Sequence, residues 1–271
     1  MKFLIQSQVF IALIAVAYSV ETELLLNQKP EVHPYLFLVF LSTFLIYNMS
    51  RYAAKPMKRS ITWFMVALFA ATFILVAVAF WARWQVIVML IPLAGLSLLY
   101  TFPIVPFNKQ FVTLRTIPYV KIFVITIVWS LVTVLLPVVR MEQAIDLHVL
   151  LIFVERMIFV FVLALMFDIR DMEQDQRSGL KTIPLRLGKE QSQRLCRWLL
   201  LIFLVIAIIH YWPAQPEVLP AMVLSALGAF ILIRDSIFKD RSEYYFALVD
   251  SMMLVQAALV FISFYLSGNR I

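Results

Sequence analysis

The sequence predicts an all-α integral membrane protein, a bundle of about nine transmembrane helices forming a single domain over residues 1–271. Three observations predict it. Hydrophobic residues fill 63% of the 271 positions and charged residues only 14%, whereas a soluble domain carries roughly 25% charged residues. The chain could not cover itself with polar surface in water. The mean hydropathy is +0.92, and the apolar runs are long enough for helices across a hydrocarbon core that takes about 20 residues each. The runs do not alternate apolar with polar, as membrane barrel strands would.

The expected spans are about 7–26, 34–50, 61–81, 86–103, 119–139, 145–168, 194–212, 218–234 and 244–266. Glu21 and Glu23 near the end of the first, and Asn48 near the end of the second, make these two the least clean. The N-terminus also has signal-peptide features, with Lys2, an apolar core and Ala15-Val16-Ala17. An odd span count and the charge pattern are both satisfied when the segment stays.

Charge is strongly one-sided. With the N-terminus inside, the cytoplasmic side receives Lys2, then Arg51, Lys55, Lys58 and Arg59, then Lys109, Arg115 and Lys121. It also receives Arg170, Arg177, Lys181, Arg186, Lys189, Arg194 and Arg197, followed by Arg234, Lys239 and Arg241. Only Lys29, Arg83, Arg140 and Arg270 fall outside, with Arg156 inside a span. The positive-inside rule therefore sets the orientation, in an inner or plasma membrane. Topology accounts for the net charge of +7, so no nucleic-acid partner is inferred. Cys196 is the single cysteine, which excludes a disulfide framework and a cysteine metal site. His33, His148 and His210 are far apart in sequence and near outer span ends, which suits interfacial placement better than metal ligation.

The stretch DIRDMEQDQRSGLKTIPLRLG, residues 168–188, leaves the sixth span on the cytoplasmic side. Asp168, Asp171 and Asp175 stand at i, i+3 and i+7, one narrow face if the helix continues. Three carboxylates on one face repel unless cations neutralise them, and oxygen-only ligands suit Mg²⁺, which commonly bridges to substrate phosphates. The plainer reading is a charged helix end with Arg170 and Arg177 as partners.

Together with Gly179, Lys181-Thr182, Pro184 and Gly188, this run resembles the second aspartate-rich motif of the UbiA superfamily of intramembrane prenyltransferases. Leu114-Arg115 through Pro118, Tyr119 and Lys121 resembles the family's entry to its fifth helix, and Glu243-Tyr244-Tyr245 before Asp250 its last span. The resemblance implies a UbiA-like bundle that transfers an isoprenyl group from an isoprenyl diphosphate to a lipophilic acceptor. It implies Mg²⁺ held by Asp171 and Asp175 as the catalytic pair, with Asp168 in support. Asn48 and Lys181 would orient the diphosphate.

The chain departs from the family's first motif, Asn-x-x-x-Asp-x-x-x-Asp. Asn48 is present, but Tyr52 and Pro56 replace the acids, and no Asp or Glu occurs from Val32 to Met141. Arg51, Lys55, Lys109, Arg115 and Lys121 are candidates to supply the missing positive charge; ordinary positive-inside topology is the alternative for each. The family's Tyr-x-x-x-Lys is matched only at Tyr100, since Ile104 stands four residues on, and Pro103 and Pro106 predict a stiff non-helical connection. Asp250 is placed at the cavity border. Glu155 and Arg156 lie deep in the sixth span, and Glu155 points away from the aspartate face, so it is expected to partner a neighbouring helix. Two functions follow: a prenyltransferase, or a non-catalytic isoprenoid-lipid binding or scaffold member of the same family. Nothing shows the paired broken helices of a transporter.

Overall fold

The structure is a computed structural model that describes residues 8–54, 61–107, 110–233 and 242–268; the side chains of 52–54, 61–68 and 242–247 are outside it. Helices stand at every expected span: α1 Val9–Leu25, α2 Pro34–Ala54, α3 Ile61–Ala79, α4 Trp84–Thr101, α5 Val120–Arg140 and α6 Leu147–Arg170. Two short helices follow, α7 Met172–Arg177 and α8 Ile183–Leu187, then α9 Lys189–Tyr211, α10 Leu219–Ile233 and α11 Ser242–Leu266. Among the described residues six helices are long and apolar enough to cross a membrane: α4, α5, α6, α9, α10 with the 3-10 turn Pro216–Val218 before it, and Leu248–Leu266 of α11. The outward surface is apolar as well, with Phe73, Trp198, Ile209 and Tyr265 exposed. In water this would be a large unfavourable patch; against lipid it costs nothing. The chain is a multi-pass membrane protein.

The connection between α4 and α5 departs from the all-α expectation. Pro103 and Pro106 do block a helix there, but the segment pairs with itself as β1 Val105–Phe107 and β2 Gln110–Val112, antiparallel with Val105 opposite Val112. Pairing satisfies backbone groups that helical bonding cannot.

Helix α6 is the central element, packed on α5 and α9; α1 packs on α2 and α11, and α10 on α9 and α11. Gly228 of α10 allows a close approach, since a Cβ there would lie 2.9 Å from Met252 Sδ. Helix α5 contains a π-helical segment, Leu131–Leu135, just before Pro137. Proline has no N–H, so the Thr133 carbonyl loses its helical donor. The Thr22 hydroxyl of α1 donates to that carbonyl at 2.7 Å, joining α1 to α5.

Deep in the bundle the charges are paired. Arg156 of α6 donates to Glu21 of α1 at 3.2 Å and to the Thr22 hydroxyl at 3.3 Å, with its guanidinium 3.5 Å from the Tyr18 ring centre. Tyr18 donates to Gln256 of α11. Glu23 takes hydrogen bonds from Tyr35 of α2 and, at 3.0 Å, from Arg140 of α5. Glu155 indeed meets a neighbouring helix, accepting from Tyr211 of α9 at 2.8 Å.

Arg156→Met should therefore leave Glu21 buried and unpaired and cost about 3–5 kcal/mol. Arg156→Met combined with Glu21→Leu should recover most of that loss, because an apolar pair leaves no charge behind. Thermal unfolding of the wild type, the single and the double variant in detergent checks this; equal losses in single and double variants would refute it.

Candidate functional site

The aspartate segment does not continue α6. The helix stops at Arg170, and Asp171 (φ −87°, ψ 7°) caps the start of α7. The expected single helical face is thus replaced by a bend. Asp171 does not use its carboxylate as a helix cap, because Arg170 holds it in a two-pronged contact, Nε at 2.7 Å and Nη2 at 2.9 Å. Gly179 turns the chain after α7 at φ +69°, a conformation that carries no penalty without a Cβ.

The bend sets Asp168 and Asp175 on either side of one ammonium. Lys121 Nζ lies 2.6 Å from Asp168 Oδ1 and 3.7 Å from Asp175 Oδ2. Both carboxylates are buried. Lys121 reaches them because α5 starts where the loop after α7 ends: the Tyr119 N–H donates to the Lys181 carbonyl at 3.0 Å. Tyr119 adopts φ +64° to do so, an uncommon conformation for a residue with a side chain. Burial pushes the Asp175 carboxyl above the ordinary aspartate range; Lys121 opposes the rise, Asp171 adds to it and Arg115 opposes it. Asp175 Oδ2 has no hydrogen-bond partner.

The remaining expected site residues are distributed around this centre. Arg115, in the 3-10 turn Leu114–Thr116, lines a cavity of about 180 Å³ together with Tyr100, Tyr47, Ser50 and Trp129. Tyr100 lies within electrostatic reach of Lys121, Arg115, Asp168 and Asp175. Asp250 lies within electrostatic reach of Arg170 and of Tyr47. Asn48 is buried, its amide donating to the Phe44 carbonyl of its own helix at 2.8 Å. Arg51 is exposed, as is Lys181. Lys109, Lys55, Pro56 and the Tyr52 side chain lie outside the described residues. Of the two arginines considered as partners for the aspartates, Arg170 takes that role; Arg177 contacts Glu173 instead, at 3.5 Å on the surface.

A second cavity, about 270 Å³ and almost wholly apolar, adjoins the first through Ile46, Tyr47, Ser97, Val128 and Trp129. Trp129 Nε1 donates to the Tyr47 hydroxyl at 2.9 Å at this junction. Sequence reasoning did not single out that pair. Its signal was a tryptophan and a tyrosine inside apolar runs, whose polar tips each need a partner when buried. Two lining residues, Val76 of α3 and Ile91 of α4, are more than half exposed, so the cavity opens sideways toward the hydrocarbon.

No group of three His, Cys, Asp or Glu side chains among the described residues forms a metal cage. Among the described residues nothing fits a resident, fully protein-bound metal. Mg²⁺ that arrives with a phosphate needs only one or two carboxylates. Asp175 Oδ2, buried and without a hydrogen bond though 3.7 Å from Lys121, fits that lesser demand with Asp171 alongside.

Replacing Lys121 by Met should destabilise the protein by about 3–5 kcal/mol, the cost of breaking a buried pair from one side. Adding Asp168→Asn should relieve part of that loss, and the pair of unfolding curves checks the coupling. A Lys121→Met protein as stable as the wild type would show that the ammonium does not neutralise this site.

The model of the UbiA prenyltransferase family matches residues 54–244. No curated protein matches the chain by sequence. Solved structures share the fold at low identity. A UbiA homologue from Aeropyrum pernix K1, without ligand, superposes with a TM-score of 0.67 at 14% identity, covering 94% of this chain and 98% of that one. One from Archaeoglobus fulgidus bound to GPP and Mg²⁺ gives 0.62 at 12% identity, with 98% and 99% covered. A structure from work on digeranylgeranylglyceryl phosphate synthase gives 0.61 at 13% identity, with 99% and 97% covered. With a family match over most of its length, this chain belongs to the UbiA prenyltransferase family.

Proposed function

We propose that the protein is a membrane prenyltransferase that moves an isoprenyl group from an isoprenyl diphosphate to a lipophilic acceptor, aromatic or lipid. The observation that carries this reading is an apolar cavity that adjoins, at Tyr47 and Trp129, a second one lined by Arg115 and Tyr100, with Lys121, Asp168 and Asp175 within electrostatic reach of Tyr100. An isoprenyl diphosphate has that same division: a long apolar chain and a compact anion.

In the reaction the C1–O bond of the isoprenyl diphosphate breaks, its electron pair leaves with the diphosphate, and C1 bonds to the acceptor nucleophile, which gives up a proton. Positive charge near the leaving oxygens lowers the barrier without proton transfer. Arg115 offers a planar pair of donors and Lys121 a point charge. Two anions, the diphosphate and the carboxylate cluster, are kept together only by added positive charge. Asp171 and Asp175 would hold Mg²⁺ delivered with the diphosphate, which supplies that charge and polarises the leaving group. Asp168 would keep Lys121 in place, Asn48 and Lys181 would orient the anion, and Lys109 and Arg51 would add basic charge at the same end. Asp250 would border the acceptor beside Tyr47. The apolar walls exclude water from the electron-deficient carbon. The same reading takes residues 1–271 as one domain with nine crossings, the N-terminus and aspartate segment cytoplasmic, in the plasma or inner membrane.

A second reading, an isoprenoid-lipid binding member without turnover, is favoured by one observation: Asp168, Asp171 and Asp175 already have cationic partners, and the sequence lacks acids at the first motif. Diphosphate release by purified protein, offered several isoprenyl diphosphates and mixed lipophilic acceptors, separates the two. Release should require Mg²⁺ and fall at least about 10²-fold in the Asp171→Asn, Asp175→Asn double variant, the scale of losing one charge-stabilising group. No release across the panel, with Mg²⁺-dependent binding that the double variant loses, would replace the transferase by the binding protein.

A further inference from the structure

At the end of the bundle opposite the aspartates, α1, α6 and α9 are joined by a continuous file of polar atoms that prenyl transfer does not use. The Leu25 carbonyl, at the end of α1, meets His148 Nε2 at 3.0 Å. His148 Nδ1 meets His210 Nε2 at 2.6 Å. His210 Nδ1 meets Glu155 Oε1 at 2.7 Å, and the Tyr211 hydroxyl donates to Glu155 Oε2 at 2.8 Å. Glu155 and His210 are buried and His148 is half-buried.

Counting hydrogens along this file gives a definite result. A carbonyl oxygen only accepts, so His148 Nε2 must carry hydrogen. Four contacts need four hydrogens. Two neutral imidazoles supply one each and the tyrosine hydroxyl supplies one, which makes three. A neutral His148 accepts at Nδ1 from His210 Nε2–H, and a neutral His210 then has only a lone pair to set against an ionised Glu155. Two acceptors 2.7 Å apart in a buried site repel. The fourth hydrogen can stand on His148, on His210 or on Glu155, and every one of these arrangements makes all four contacts.

We propose that His148, His210 and Glu155 hold one exchangeable proton in common, as a buried proton-binding site that fastens α1 to α6 and α9. Charge balance supports the same count. With the proton, the three groups sum to zero; without it, they leave one negative charge where water is scarce. Arg156 of α6 and Arg140 of neighbouring α5, cations among the described residues, are already paired, with Glu21 and Glu23 of α1. Tyr18 of α1 donates to Gln256, and Tyr211 of α9 has given its hydrogen to Glu155. Asp146 accepts from Val149 N at the start of α6, and Glu217 in the turn before α10 is acidic. Helix α10 has no titratable side chain, and the acids of α11, Glu243 and Asp250, lie toward its other end. The half-buried His148 is the point at which the proton exchanges with the aqueous side. The site lies about 20 Å or more from Asp168 along α6, at 1.5 Å per residue, so it stands apart from the prenyl-transfer reading.

The test is a proton inventory of the full-length protein in nanodiscs at neutral pH. Nitrogen-15 spectra of the histidines report which imidazoles are charged, and the infrared carboxyl difference between wild type and Glu155→Gln reports whether Glu155 is protonated. One additional proton among the three groups is expected. Glu155→Gln carries the fourth hydrogen permanently on its amide, so it should hold one proton fewer, with both imidazoles neutral. Its melting temperature should fall less than that of the wild type as pH rises, because the wild type alone has the shared proton to lose. Two neutral imidazoles beside an ionised Glu155 in the wild type overturn the proposal. So does an imidazolium that persists in Glu155→Gln, because the proton would then belong to a histidine alone.

Discussion

The Arg156–Glu21 pair binds α6 to α1 at a depth where water cannot take the place of either partner, and the rest of the bundle is arranged around keeping such charges matched. Two helices that carry opposite charges on facing sides have one register in which both are satisfied. Sliding either by a turn strands an ion in hydrocarbon. The hydroxyl of Thr22, next to Glu21, then reaches the carbonyl that Pro137 leaves open on α5, so one ion pair fixes the position of three helices. The same rule operates at the aspartate end, where Lys121 stands between Asp168 and Asp175. Helix α6 is thus anchored by charge within the bundle and at its aspartate end rather than by apolar fit alone, since lipid tails are as apolar as the side chains and give packing little hydrophobic drive.

The helices were legible in the sequence because apolar length is a one-dimensional property. The sixth was expected at 145–168 and is found at Leu147–Arg170, and the fifth and ninth agree as closely. What the sequence hid was pairing across long separations. Lys121 stands in the sequence as a candidate to supply positive charge, but its place between two carboxylates follows only from the Tyr119 bond to the Lys181 carbonyl. His148 and His210, 62 residues apart, gave no sign of meeting. The aspartate spacing suggested an uninterrupted helix, whereas Arg170 draws Asp171 aside and a new short helix begins. Prolines at 103 and 106 did signal a break in the helix, but a hairpin was not foreseen, because strand pairing depends on which segments face each other.

The fold is shared with solved structures at 11–14% identity. A membrane bundle tolerates such divergence because most positions need only be apolar and of suitable size, while a few polar pairs set register. In this chain those pairs include acids within α1 that face basic residues of α5 and α6, and they carry specificity that the apolar surface cannot.

Val76 and Ile91 line the apolar cavity and are exposed on its bilayer side. A cavity sealed by protein acts as a ruler: a chain too long for it is rejected. One with an open flank does not measure length, because the surplus of a longer tail lies among the lipids at no cost in solvation. Under the proposed function, discrimination would then fall on the two ends of the reaction, the anion at Arg115 and Lys121 and the acceptor beside Tyr47. Isoprenoids of different length would compete by their abundance in the membrane.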